Sequence, residues 1–125
     1  MNKINFFYFS MPFDSPITTI VGDDTPRPAK IHLVAGLILD GQPEEYTVEI
    51  ITPDFPILNR QPVPRGKIIT LGDSGYITTQ LTMPLSINNA VRNQVYNITI
   101  KLFKKDKEVA DAETSLYIVG ESDVF

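Results

Sequence analysis

Cysteine and tryptophan are both missing from the 125 residues, and histidine occurs once, as His32. Without cysteine there is no disulfide, no thiol nucleophile and no thiolate zinc site. One imidazole without a second histidine or a His-Glu pair nearby removes most catalytic and metal templates. Long apolar runs are lacking as well: none approaches the roughly 20 residues needed to cross a bilayer as a helix. The opening MNKINFFYFSMPF carries one early lysine and an aromatic run but no small-residue cleavage site, so the expectation is a cytoplasmic chain without an export leader. A basic excess is missing too. The net charge is −4, which argues against nucleic acid, whose phosphates need clustered Lys and Arg.

What is present is a globular composition, 42% hydrophobic and 21% charged, in a length that suits a single domain spanning residues 1–125. The charges are sectioned. Residues 1–58 hold 3 basic and 8 acidic side chains, residues 59–108 hold 8 and 3, and residues 109–125 hold 4 acidic and none basic. A basic middle between acidic flanks predicts pairing between strands of the same chain.

The apolar pattern has period two almost throughout, the signature of strands with one buried face. Residues 30–39 put Ile31, Leu33, Ala35, Leu37 and Leu39 on one side. In 45–51, Tyr46, Val48 and Ile50 alternate with Glu45, Thr47 and Glu49. Residues 76–85, 94–103 and 108–119 repeat the pattern, 67–71 is a short β-branched run, and 3–11 is apolar on both faces, as a strand covered on both sides would be. Turn signals separate these runs at Asp40–Pro43, Gly72–Gly75 and Lys104–Lys107. Ile17–Val21 reads as a short edge strand, and Ser86–Arg92 as a single helical turn capped by Ser86. No sustained helical period exists. The expectation is an all-β, antiparallel two-sheet sandwich of about seven strands.

The strand spacing resembles the immunoglobulin-like β-sandwich, a Greek key, over most of the chain. Its sharpest local piece is Asn93-Gln94-Val95-Tyr96-Asn97-Ile98. In that fold a tyrosine near the start of the sixth strand bonds backbone in the preceding connection, and a core residue follows two positions later. Tyr96 and Ile98 occupy those places. The disulfide pair and core tryptophan of antibody domains are missing, and the resemblance implies a fold, not an activity.

Motifs with chemical meaning reduce to bland ones. Gly72-Asp73-Ser74-Gly75 looks like the segment around the nucleophilic serine of chymotrypsin-like proteases, but Tyr76-Ile77 follows it and His32 stands mid-strand without family context, so it reads as a turn. Asp23, Asp24 and Asp54 sit in long loops, where some membrane-associating sandwiches bind calcium; adjacent aspartates are more often solvated turn formers. Lys101, Lys104, Lys105 and Lys107 form a basic knot that suits an edge guard. No acid, base and nucleophile can be assembled, so the expectation is no enzyme, no cofactor and no metal.

The proline-rich stretch 53–66 cannot pair as a central strand and reads as extended loop or sheet edge. Phe55 and Ile57, followed by Arg60 and Arg65, either fold back to cap one end of the core or form the expected binding patch, set among loops 12–29, 53–66 and 86–93 at one end of the sandwich. The expected role is a protein-binding or structural module that captures a partner protein or self-associates. The alternatives are a sandwich subunit of a larger phage or secretion-type assembly, and a calcium-dependent membrane module.

Overall fold

The computed structural model describes residues 2–11, 15–22, 27–53, 55–63, 67–70 and 75–120. Ten strands form among them: β1 (Lys3–Ser10), β2 (Pro16–Ile17), β3 (Thr19–Gly22), β4 (Arg27–Leu39), β5 (Tyr46–Ile51), β6 (Pro56–Pro62), β7 (Lys67–Thr70), β8 (Ile77–Ala90), β9 (Gln94–Lys104) and β10 (Lys107–Gly120). One sheet, here sheet A, runs β2-β1-β4-β8-β7; the other, sheet B, runs β3-β10-β9-β5-β6. One 3₁₀ turn, Pro43–Glu45, leads into β5.

The sheets face each other because the alternation in each strand leaves one oily side. Sheet A contributes Phe9, Ile31, Leu33, Leu37, Leu39 and Leu81 to the interior; sheet B contributes Tyr46, Val48, Ile50, Ile98, Ile100, Leu102, Leu116 and Ile118, all 3% exposed or less. They form one continuous core. Each fully buried Leu or Ile stabilises the fold by about 1.5–3 kcal/mol relative to exposure, so the period-two pattern decides the architecture. The expected all-β two-sheet sandwich is what the chain forms.

Four details depart from the sequence reading. There are ten strands rather than seven; β2 and β3 are edge elements too brief to show a period, and β6 is a proline-bounded edge strand with no alternation. The expected edge strand at 17–21 divides at Thr18: β2 pairs antiparallel with β1 in sheet A, and β3 pairs parallel with β10 in sheet B. One ladder is therefore parallel. Residues 86–90 are no helical turn, because β8 continues through them in register with β4. Leu85 and Ile87 keep the inward parity that Ile77 starts, and burying Ile87 outweighs a polar cap.

The fourth concerns β1. A bulge between Ile4 and Phe6 sets Phe7 and Phe9 inward while Phe6 and Tyr8 face out, and Phe6 remains 37% exposed. The Phe6 ring lies across Gly36, where an added Cβ would stand 2.2 Å from it. The ring covers strand backbone that a side chain would otherwise cover, and the outer face stays open rather than buried.

Candidate functional site

Phe55 and Ile57, two of the four expected binding residues, come together. A tight turn places them: the Thr52 amide and hydroxyl both donate to the Phe55 carbonyl at 2.9 Å, and the Phe55 amide donates back to Thr52 Oγ1 at 3.0 Å. The turn holds Phe55 outward, 55% exposed, at the entrance to β6. Beside it a recess of roughly 150 Å³ opens between the sheets, lined by Thr52, Phe55, Ile57, Leu85, Ile87 and Tyr96. Its walls come from the β5–β6 turn, β6, β8 and β9, and its floor reaches the buried Ile98.

Arg60 lies elsewhere. Its guanidinium sits 3.8 Å over the Phe103 ring and 3.5 Å from Asp106, shielding Phe103 on the outer side of sheet B. That is packing by an amphipathic side chain. Arg65 lies outside the described residues. So do Asp23, Asp24, Asp54 and Gly72–Ser74 of the calcium and protease-like motifs; among the described residues no three His, Asp or Glu side chains converge on a common point. His32 faces out from sheet A, opposite Pro84 on β8.

Tyr96 does not make the expected hydroxyl bond to backbone. Tyr96 is half-buried and lends its ring to the recess, and its hydroxyl makes no hydrogen bond among the described residues. The tyrosine with a fixed hydroxyl is Tyr46, at the opposite end. Its ring is fully buried, and its one hydroxyl proton is shared between Asp40 Oδ1 at 2.7 Å and Asn2 Oδ1 at 2.5 Å. The Asp40 amide also donates to Asn2 Oδ1 at 3.1 Å. Lys104 Nζ meets Asp40 Oδ1 at 3.1 Å, and Lys105 Nζ meets Glu45 Oε1 at 3.6 Å.

The hydroxyl of Tyr46 and the ammonium of Lys104 hold the Asp40 carboxyl far below the usual carboxylate range. Burial, then the neighbouring Asp40 carboxylate, pushes Tyr46 above its ordinary 10.0. The hydrogen bond to Asp40 raises Lys104 above 10.5. With Lys101 against Glu108 at 3.7 Å, three lysines of the basic knot are matched by carboxylates of the same chain. This end is a clamp joining β1, the β4–β5 turn and the β9–β10 hairpin, where the expected pairing between basic middle and acidic flank is realised.

Sequence reasoning reached Phe55 and Ile57 through apolar residues beside prolines. It missed Thr52, Leu85 and Ile87, which carry no local signal, since only the sandwich brings the β5–β6 turn, β6 and β8 together. Among the described residues, no helix is long and apolar enough to cross a membrane. No protein-family model matches the chain, and no curated protein matches it.

Proposed function

We propose that the chain is a non-enzymatic, immunoglobulin-like interaction module that takes an apolar side chain of a partner protein into the Phe55 recess. The strand order supports the fold-family reading. Setting aside β2, β3 and β6, the first, second, fifth and fourth strands share sheet A, and the third, sixth and seventh share sheet B. That is the immunoglobulin partition, with β6 where variable-type domains add a strand beside the third.

The observation that carries the binding reading is the recess with an exposed phenylalanine at its rim. At roughly 150 Å³ it is about half the smallest usual small-molecule site, ~300 Å³. It suits one anchoring side chain of a protein, the way interfaces concentrate their energy. A turn braced by three Thr52–Phe55 hydrogen bonds keeps the rim preformed, which lowers the ordering cost of binding.

The test compares the chain with Phe55→Asp. Proteins retained by the wild type and lost by the variant are purified and titrated against both. The expected result is at least a ~10-fold loss of affinity with melting unchanged. A partner held equally by both forms overturns the reading, and a collapsed melting curve makes Phe55 a structural cap instead.

A second reading, a subunit of a larger assembly, is favoured by a different observation. Val95 and Tyr117 are cross-strand partners on the outer side of sheet B, and both are exposed; Val21 on the neighbouring β3 is exposed too. Its test is the molecular mass in solution: a monomer at all accessible concentrations, alone and with its neighbours in the cell, removes it.

A further inference from the structure

We infer that the two outer faces of the sandwich are complementary to each other, so that a second copy of this chain docks its sheet B face on the sheet A face of the first. The inference rests on the assembly reading and uses no residue of the Phe55 recess.

The first observation is charge. The strands of sheet A carry Lys3, Arg27, Lys30 and Lys67 and not one Asp or Glu, in a chain whose net charge is −4. Lys3 and Lys30 are exposed on its outer face, at opposite ends of it. Sheet B is the reverse at its centre. Glu49 and Asp111 both stand directly across from Lys101, and Glu108 forms the ion pair with that same lysine. Three carboxylates surround one ammonium, and the exposed Glu113 faces only Thr99. The remaining strand cations of sheet B are engaged or peripheral: Arg60 with Asp106, Lys104 with Asp40, and Lys107 at the hairpin.

The second observation is the apolar surface beside each charged patch. On sheet A, Phe6 is exposed and its ring lies 5.8 Å from that of half-buried Tyr8; Val34, the register partner of Tyr8, is buried and marks only the level along β4. On sheet B the corresponding surface is Tyr117 with Val95. The spacings agree. Lys30 precedes Val34 by four residues and Glu113 precedes Tyr117 by four, a separation of about 13 Å at ~3.3 Å per residue in each strand. Seating Tyr117 and Val95 on Phe6 and Tyr8, the latter level with Val34, therefore brings Glu113 to Lys30. Two different faces meet, so the contact is heterologous, and each docked copy leaves one face of each kind open for the next.

Two charge-reversed chains test it: Lys3→Glu with Lys30→Glu, which disables the sheet A face, and Asp111→Lys with Glu113→Lys, which disables the sheet B face. All four positions are exposed, so both chains keep the wild-type melting temperature within a few degrees. In sedimentation velocity the wild type grows in mass with concentration and returns to monomer near ~0.5 M salt, where screening shortens charge interactions to a few ångströms. Each reversed chain alone is monomeric. Mixed, they associate again, because the intact sheet B face of one meets the intact sheet A face of the other and the two reversed faces complement each other in the opposite sense. Tyr117→Ser weakens the wild-type assembly, and Phe55→Asp leaves it unchanged, which separates this inference from the recess reading. A wild type that stays monomeric overturns the inference, as does association that neither reversal abolishes or a mixture that fails to pair.

Discussion

Two buried hydroxyls show how much one oxygen depends on its surroundings. The Tyr46 hydroxyl rides on a fully buried ring and serves both Asn2 and Asp40. Thr79, 3% exposed and facing inward on β8, has no partner for Oγ1 among the described residues. A satisfied buried hydroxyl contributes about 1 kcal/mol net, whereas an unsatisfied one costs a desolvation penalty of similar or greater size. Tyr46→Phe is therefore expected to lower stability by about 1 kcal/mol, and Thr79→Val, nearly the same shape, to raise it by about 1 kcal/mol. Urea titrations of both variants decide the matter, and a destabilised Thr79→Val would mean that the hydroxyl has found a partner. Neither effect is visible in the sequence, where both residues simply occupy inward places in an alternating run.

The elements were legible wherever a strand is long and has one wet face. The alternations at 30–39, 45–51 and 94–103 correspond to β4, β5 and β9 because every second side chain meets the opposite sheet. β8 shows the limit. Its last residues, Ser86-Ile87-Asn88-Asn89-Ala90, look like a capped turn because serine and asparagine favour caps, yet the pairing with β4 carries the strand on to Ala90. Edge strand β6 was legible only as a choice between loop and edge, because Pro56 and Pro62 forbid a central position without fixing a register. The β9–β10 hairpin was legible as a turn but not as a suboptimal one. Lys105 and Asp106 both take positive φ, 49° and 68°, which the two-residue turn demands and which Asn-Gly adopts at lower cost. Replacing the pair as Lys105→Asn with Asp106→Gly is expected to raise the melting temperature by a few degrees. The surface pairs it sacrifices, to Glu45 and Arg60, are exposed on the turn side and worth little. A lower melting temperature would show that those pairs hold the hairpin in place.

For the molecule as a whole, the sectioned charge foretold that basic and acidic parts of the chain would meet, but not where. Asn2, Asp40, Tyr46 and Lys104 are separated by up to 102 positions, and only the sandwich topology gathers them at one end. The clamp predicts the pH dependence of stability. Asp40 has a lowered pKa in the folded chain, so its contribution is fully present above the unfolded value, near 3.8, and fades as the pH falls through the folded value below it. Tyr46 and Lys104 have raised values, so their contributions are fully present below the unfolded values of 10.0 and 10.5 and are lost as the pH climbs through the folded ones. Melting temperature against pH should therefore show a plateau closed by two limbs of different origin. Asp40→Asn should melt lower than the wild type between pH ~5 and 9, and the difference should shrink steadily below pH ~4 as the unfolded carboxyl takes up its proton. Tyr46→Phe should flatten the limb above pH ~10 and also make the acid limb shallower, since the phenol is the foremost cause of the lowered Asp40 value and Lys104 is left to hold the carboxylate without it. An Asp40→Asn curve that stays parallel to the wild type down to the acid transition would show that the carboxylate is not what closes this end of the sandwich.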